Sequence, residues 1–403
     1  MAAPIRITVV TMVFPPEQGA APSRMYKLCR ELVENGFEVE VLTAMPNYPT
    51  GRIFPEYRGR VSSVEQMDGM TVRRHWVYAS NAKSAVRRIS SMLSFSATLY
   101  RSWFRLRRRW QPEIVLVQTP PFTAGLAGVR IGRTVGAKVV LNVSDLWPLS
   151  ALELGAIKPG NLYNRLVQQE QRMYRGADVI IGQSQETIDY IRADHPNKAY
   201  FLYRNLDQPS PYRESGAPYR EDGLRVVYAG LLGVAQGVLR ICREVDFRSL
   251  NTEFHIYGAG NELEQIQAYI AAHPEANISY HGSVPKSEIP GVLAQAHATI
   301  IPLTDPIRGA FPSKVFMAVS AGLPILFAGE GEGARVVEEM ELGFVSPPGD
   351  SAALEANLRR LRSLGPEAYG QLRTNCIEAS KREFDFKRQA NQLIEFLHEV
   401  AGR

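Results

Sequence analysis

Short apolar runs recur along the chain, and after each a Gly- or Pro-bearing turn gives way to apolar residues spaced three and four apart. An unbroken apolar run reads as a strand buried on both faces, and the three–four spacing reads as a helix with one apolar stripe. Residues 5–13 form such a run, followed by a loop over 14–22, a helix over 23–35 stopped by Gly36, and a strand over 38–43. A turn-rich loop fills 45–52. Strands are expected at 70–77, 113–118, 137–143 and 178–182, and helices at 123–135, 162–174 and 185–193. Residues 204–223 are polar and rich in Pro and Gly, the composition of a linker. The pattern then restarts, with strands at 224–228, 253–257, 278–280, 298–303, 325–328 and near Phe344, and a helix over 286–296. Helical stretches at 352–364, 366–382 and 385–400 close the chain.

This alternation, met twice, predicts an α/β chain of two doubly wound domains with a ligand cleft between them. The boundaries read from the pattern are 1–205 for the first domain, 206–222 for the linker and 223–384 for the second. The first loop holds Gly19 alone and not Gly-x-Gly-x-x-Gly, which disfavours a nicotinamide dinucleotide.

Residues 308–324 lie between two of the expected strands. Pro312 and Ser313 read as a helix start, since Ser accepts from free backbone N–H groups and Pro lacks the donor that has no partner there. Gly322 and Pro324 read as the stop. Arg308 and Lys314 then fall on either side of the first helical turn. Free N–H groups, the positive end of the helix dipole and two cations converge on a site for an anion, a diphosphate by preference.

Composition narrows the class. A chain of 403 residues is too long for one ordinary core, and 45% apolar with 22% charged residues is the balance of a soluble globular protein. No apolar run reaches the ~18 residues of a membrane span, and residues 1–6 lack the basic-then-apolar order of a signal peptide. Cys29, Cys242 and Cys376 lie far apart, which points to a reducing compartment and away from disulfides or a zinc site.

The net charge of +5 is unevenly spread. No Asp or Glu occurs between Gly69 and Pro112, where Arg73, Arg74, Lys83, Arg87, Arg88, Arg101, Arg105, Arg107, Arg108 and Arg109 interleave with apolar and aromatic residues such as Ile89, Leu93, Trp103 and Phe104. The stretch reads as one or two amphipathic helices with a basic face. Three surroundings fit: an anionic membrane surface, nucleic acid, or water over a buried stripe. The membrane surface is preferred, with Arg88, Trp103, Arg105, Arg107, Arg108 and Arg109 facing it, and no nucleic acid is expected as a partner.

Several motifs occur in one order over nearly the whole chain: Phe14-Pro-Pro-Glu-x-Gly, Met45-Pro-Asn-Tyr-Pro-Thr-Gly, Gln118-Thr-Pro-Pro, Ser144-Asp-Leu-Trp-Pro, Ala229-Gly with Ala235-Gln-Gly, Tyr257-Gly-Ala-Gly, Pro312-Ser-Lys and Gly329-Glu-Gly-Glu-Gly. Together they resemble the family 4 glycosyltransferases of the GT-B fold, and among them the fucosamine-transferase-like enzymes of bacterial O-antigen, capsule and exopolysaccharide assembly. The resemblance implies two Rossmann-like domains, with a nucleotide-sugar held mainly by the C-terminal one and an acceptor mainly by the N-terminal one. It implies retention at the anomeric carbon, no metal or other cofactor, and a lipid-linked saccharide acceptor. The expected location is therefore cytoplasmic, peripheral on the inner face of the membrane. The last helix, 385–403, is expected to cross back to the first domain.

Chemistry distributes the roles. Departure of the leaving group builds negative charge on the diphosphate, which a metal-free enzyme must meet with cations and N–H groups. Lys314, Arg308 and the helix start at Pro312 and Ser313 are assigned to it, with Gly19 letting the first loop approach. Gly230 and Gly233 allow close approach of a donor or are ordinary turn glycines. Asp145, at the end of an expected strand, either orients the acceptor and takes its proton or caps a helix. Glu17 either contacts the acceptor or solvates a loop. Asn47 and Tyr48 are further acceptor candidates, Glu330 and Glu332 are candidates for sugar hydroxyls, and Gly258 and Val284 lie where the resemblance places the base.

The chain also departs from the family pattern. Two glutamates eight positions apart usually contact the donor, the second holding the ribose hydroxyls; Gly309 and Met317 stand there instead. An arginine–lysine pair of the second domain's first loop is replaced by Leu231 and Gln236. Met accepts hydrogen bonds poorly, and a buried ribose hydroxyl without an acceptor costs about 1–3 kcal/mol. Glu338 or a backbone carbonyl would have to substitute. The reading is a transferase moving an N-acetylated hexosamine-type sugar from a UDP-sugar. The alternatives are a catalytically weakened scaffold subunit and a UDP-sugar epimerase on the same fold.

Overall fold

The computed structural model describes residues 3–80, 85–204, 206, 210–304 and 307–402. Lys83 of the basic stretch and part of the expected linker lie outside these. The chain divides into two compact units: Met1–Asn205 with Arg308–Ala310 and Arg388–Arg403, and Leu206–Ile307 with Phe311–Lys387.

The first unit runs β1 (Arg6–Val10), α1 (Ala20–Glu34), β2 (Glu38–Ala44), β3 (Ser62–Met67), β4 (Met70–His75), α2 (Ala85–Leu99), α3 (Trp103–Arg105), β5 (Ile114–Thr119), α4 (Phe122–Val135), β6 (Lys138–Val143), α5 (Leu149–Glu153), α6 (Asn161–Gly176), β7 (Val179–Gly182), α7 (Gln185–Asp194) and β8 (Ala199–Leu202). The sheet order is β3-β4-β2-β1-β5-β6-β7-β8, parallel except for β3 against β4. β5 is wholly buried, and β1 is buried from Ile7 onward, as unbroken apolar runs require. Gly128 and Gly132 let α4 lie directly on the sheet: a Cβ at either would come within 2.7 Å of Val117 or Val139. The edge strand β3 alternates half-buried and exposed residues and was not anticipated from the apolar runs, nor was β8. α1 begins at Ala20, three residues before the expected start, because Gly19 takes the cap position with φ 140°.

The second unit runs β9 (Leu224–Ala229), α8 (Val238–Glu244), β10 (Thr252–Tyr257), α9 (Leu263–Ala272), β11 (Ile278–Tyr280), α10 (Ile289–Ala294), β12 (Ala298–Pro302), α11 (Ser313–Ser320), β13 (Ile325–Ala328), α12 (Glu332–Glu339), β14 (Gly343–Ser346), α13 (Ser351–Arg362) and α14 (Gly365–Arg382), and the chain ends in α15 (Phe386–Val400). Its six strands are all parallel, in the order β11-β10-β9-β12-β13-β14. Leu393, Ile394 and Leu397 of α15 join the first unit's core with Ile5, Ile7 and Val39, and Phe396 stacks on Phe201 at 5.2 Å.

The described part of the polar stretch expected as a linker packs on the second unit. Arg373 Nη1 donates to the Gly216 carbonyl at 3.0 Å, the Ala217 N–H donates to the Ala294 carbonyl at 2.9 Å, and the Tyr219 and Tyr369 rings lie 5.5 Å apart. The aromatic rings give this stretch surface to bury, which Pro and Gly content alone conceals.

Three arginines expected on the basic surface are turned inward. Glu40 is buried, and its two oxygens receive Arg73 and Arg105. Arg74 is fully buried, donating to Glu65 and to the Pro15 carbonyl with its guanidinium over the Tyr57 ring. A buried carboxylate such as Glu40 and a buried guanidinium such as Arg74 must each be paired, and these pairs draw the arginines off the surface.

Candidate active site

In the second unit the loops at the carboxyl ends of the strands are laced together. The Gly230 N–H donates to the Tyr257 carbonyl at 2.9 Å, the Leu232 N–H to Ala259 at 2.9 Å, and the Gly258 N–H to Gly282 at 2.9 Å. Tyr280 Oη closes the set, donating to the Gly258 carbonyl at 2.8 Å. Gly258 has φ 147°, and a Cβ there would strike the Gly230 carbonyl at 1.8 Å, so this glycine is first required by backbone against backbone. Val284 is half-buried in the loop after β11.

α11 opens in the same set of loops. Pro312 holds the cap position with extended backbone and no side chain caps the helix; Ser313 is the first helical residue and is exposed. The expected capping by Ser313 is thereby corrected: the serine sits one residue too late to take the extended cap conformation. Free N–H groups remain at the helix start. Lys314 is half-buried, with Nζ 5.2 Å from the Tyr228 ring centroid, and a Cβ on Gly230 would meet its Cε at 2.5 Å. Burial lowers its pKa below the usual lysine value, and among the described residues it has no carboxylate partner. Gly233 is extended, with the Gln236 amide oxygen 2.9 Å from where its Cβ would stand. One turn beyond Lys314, Met317 packs against the apolar cluster of Val227, Leu293, Ala296, Ala321 and Leu323, with Tyr257 alongside. Glu330 is exposed, whereas Glu332 is buried in the first turn of α12, which removes it from the surface turn expected for it. Glu338 is exposed on the last turn of α12.

In the first unit, β5 and β6 end in a polar chain. Asn142 Nδ2 donates to Gln118 Oε1 at 2.8 Å, Gln118 Nε2 donates to Ser144 Oγ at 2.5 Å, and Arg24 Nη2 donates to the same hydroxyl at 2.6 Å. Asp145 follows. It is exposed as a residue, yet surrounding protein raises its carboxyl above the usual range, with the Arg24 guanidinium pulling the other way. The helix-cap reading of Asp145 does not hold, since Pro148 holds the cap position of α5. Burial in turn lowers Arg24 to about 10, opposed by Asp145. Arg24 was missed in the sequence. Its signal is a charge on the buried stripe of α1, four and seven residues before Leu28 and Glu31.

Glu17 is not a solvated loop residue. It is 3% exposed and accepts from the N–H groups of Phe14 at 3.1 Å, Asn47 at 2.9 Å and Tyr48 at 2.9 Å, while burial raises its pKa. It ties the loop after β1 to the loop after β2. Asn47 is buried, with Nδ2 donating to the Met45 carbonyl at 2.9 Å, and Tyr48 stands exposed beside Gly19.

Arg308 and Gly309 group with the first unit and Lys314 with the second. The Arg308 N–H donates to Glu153 at 3.0 Å, and the Gly309 carbonyl accepts from Ser184 Oγ at 2.7 Å and Thr187 Oγ1 at 3.2 Å. Gly309 is buried with φ 78°, and a Cβ would meet Thr187 Oγ1 at 2.6 Å. Position 309 therefore excludes the glutamate of the family pattern on steric grounds.

The basic helix presents Val86, Ile89, Leu93, Tyr100 and Phe104 as an exposed apolar stripe. Arg87, Arg88, Arg101, Arg107, Arg108 and Arg109 are exposed around it. Trp103 and Arg105 are corrected to inward-facing: Trp103 packs on the core and donates from Nε1 to Thr134 Oγ1 at 2.9 Å, and Arg105 pairs with Glu40. Among the described residues no helix is long and apolar enough to cross a membrane.

Comparison with known proteins places these features. The family described as Glycosyl transferase 4-like domain matches residues 19–199, and that described as Glycosyl transferases group 1 matches 223–363. A Pseudomonas aeruginosa protein named as a probable glycosyltransferase, WbjE, is 24% identical over 304 residues, covering 72% of this chain and 76% of its own. The solved structure of Anabaena HepE in complex with UDP superposes with a TM-score of 0.68 at 13% identity, over 98% of this chain and all of that one. That of WaaG, a glycosyltransferase involved in lipopolysaccharide biosynthesis, has a TM-score of 0.62 at 13% identity, over 97% and 99% of the two chains. At these identities the two structures establish a shared fold.

Proposed function

The chain belongs to the family 4 glycosyltransferases of the GT-B type, and we propose that it transfers an N-acetylated hexosamine-type sugar from a UDP-sugar to a lipid-linked glycan in bacterial surface polysaccharide synthesis. The observation that carries the donor side is Lys314. A half-buried ammonium without an anionic partner among the described residues, beside free helix N–H groups and a glycine stripped of its side chain, is a prepared place for a diphosphate. The UDP bound in the HepE complex and the involvement of WaaG in lipopolysaccharide biosynthesis support the donor class and the setting.

Each group then has a task. As the bond from the anomeric carbon to the diphosphate oxygen breaks, negative charge grows on that oxygen, and Lys314 with the first N–H groups of α11 meets it. This ammonium and these helix dipoles do the work without a metal, and the sugar is transferred with retention. Asp145, in the loop after β6, accepts the proton of the attacking acceptor hydroxyl. The exposed apolar stripe from Val86 to Phe104, ringed by Arg87, Arg101, Arg107, Arg108 and Arg109, rests on the anionic inner face of the cytoplasmic membrane, where a lipid-linked acceptor is found. The deciding experiment follows a labelled sugar from a set of UDP-sugars into lipid-linked acceptor, for the whole chain and for Lys314→Ala. Transfer that falls on the order of 100-fold in a variant that still folds supports the reading; undiminished transfer in that variant removes the phosphate role from Lys314.

A further inference from the structure

The second unit has an open cavity at the end of its sheet opposite to Lys314. Residues at or just before the starts of β9, β10, β11 and β12 line it, whereas α11 opens among the loops at the carboxyl ends of the strands. β9 and β10 are six residues long, so the two places lie about 20 Å apart along the sheet. The cavity measures about 390 Å³, a size that suits a small molecule.

Its charges cancel. Arg220 pairs with Asp222 at 2.7 Å and Arg225 with Glu253 at 3.2 Å, and among the described residues no other Lys, Arg, Asp or Glu lines it. His297 lines it too; it is 3% exposed, and its Nδ1 accepts from the Arg225 N–H at 2.8 Å. Burial lowers the pKa of this imidazole, so the ring adds no charge at neutral pH. An anion or a cation therefore finds no excess of opposite charge here.

Hydrogen-bonding groups are in excess instead. The exposed amides of Asn277 and Gln295 make no hydrogen bond to the described residues, and Arg225 gives only Nε to Glu253, which leaves both Nη groups. Among the described residues no ring but that of His297 lines the cavity, so a nucleotide base has no platform to stack on. Amides and guanidinium edges place donors and acceptors side by side, and adjacent sugar hydroxyls, each both donor and acceptor, complement them. Ala217 and Pro218 give the C–H groups of a sugar an apolar side to lie on. We propose that this cavity is a second carbohydrate site, which takes a neutral, hydroxyl-rich saccharide and is separate from the donor and the acceptor of the transfer. It rests on neither Lys314 nor Asp145. In the proposed reaction it holds a glycan chain on the protein between transfers.

The probe is N,N′-diacetylchitobiose, a neutral disaccharide, followed by saturation-transfer NMR with the full chain and with the double variant Asn277→Gly, Gln295→Ala. Asn277 has φ 57°, a conformation that glycine adopts freely, and Gln295 is exposed at the end of α10, so the variant keeps its fold. The wild-type chain is expected to bind the disaccharide, the variant about tenfold or more weakly, and inorganic phosphate is expected not to displace it. Equal binding by the two proteins places the sugar elsewhere and overturns the proposal. Absence of binding by the wild type at tens of millimolar also overturns it, as does displacement by phosphate, which would mark an anion site. UDP binding at Lys314 is untouched by any of these outcomes, so this proposal and the donor reading fail separately.

Discussion

Lys314 lies across the bare α-carbon of Gly230, where a Cβ would come within 2.5 Å of the lysine Cε and 3.0 Å of Nζ. The glycine leaves the space that the ammonium fills, and Tyr228 on the other side holds it there. Gly230→Ala is therefore expected to push Lys314 off its place. Transfer should fall by on the order of 10- to 100-fold. The backbone at φ 156° adds a stability loss of about 1–3 kcal/mol. Initial rates together with urea unfolding separate the two effects; a folded variant with unchanged kcat/KM would show that Lys314 does not act at the phosphate.

Glu17 makes a second, purely structural prediction. Glu17→Ala leaves three buried or half-buried N–H groups without their acceptor, a loss of about 2–4 kcal/mol in chemical denaturation. Because the loops after β1 and β2 are tied at this residue, kcat/KM should fall only as far as the folded fraction falls.

The basic helix separates into two kinds of arginine. Replacing Arg107, Arg108 and Arg109 with alanine should weaken partition onto anionic vesicles by on the order of 100-fold, at about 1 kcal/mol each, with little effect on the unfolding midpoint. Arg105→Ala should do the reverse. It leaves the buried Glu40 with Arg73 alone and costs about 1–3 kcal/mol of stability, with vesicle binding nearly unchanged. Vesicle flotation and thermal unfolding on both variants check this; equal flotation of the triple variant and the wild type removes the membrane role.

The doubled strand–helix alternation was legible in the chain because both sheets are built of unbroken apolar runs, and the helix start after β12 was legible from Pro312. What misled the reading was charge. Arg73, Arg74 and Arg105 look like surface residues in any count of basic positions, and their carboxylate partners Glu40 and Glu65 lie 33, 9 and 65 residues away in sequence. Glu17 was similarly opaque, since its partners are backbone N–H groups, which carry no side-chain signature. Gly309 and Arg308 show the limit of local spacing: adjacency to a helix start said nothing about Ser184, Thr187 and Glu153, which hold that segment.

Glu170 predicts a pH dependence outside the proposed chemistry. It is fully buried on α6, bonded to Tyr174 Oη at 2.7 Å, and burial raises its pKa from 4.5 to about 7. A carboxyl whose folded pKa lies above its unfolded one favours the folded state fully below about 4.5, and that contribution is lost as pH rises through about 7. The difference amounts to on the order of 3 kcal/mol. Glu170→Gln, which keeps an oxygen for Tyr174, should therefore be more stable than the wild type at pH 8 and no more stable at pH 4.5. Denaturant midpoints at the two pH values decide it; a constant offset would show that Glu170 does not titrate there.

The central claim, that Lys314 and the start of α11 hold a nucleotide diphosphate, is tested most directly by thermal unfolding with and without UDP, in the wild-type chain and in Lys314→Ala. UDP at about 100 times its dissociation constant should stabilise the wild type by about 2.7 kcal/mol and raise its midpoint by roughly a degree or more, with the shift abolished or much reduced in the variant. Equal shifts in the two proteins, or none in either at millimolar UDP, would contradict the assignment.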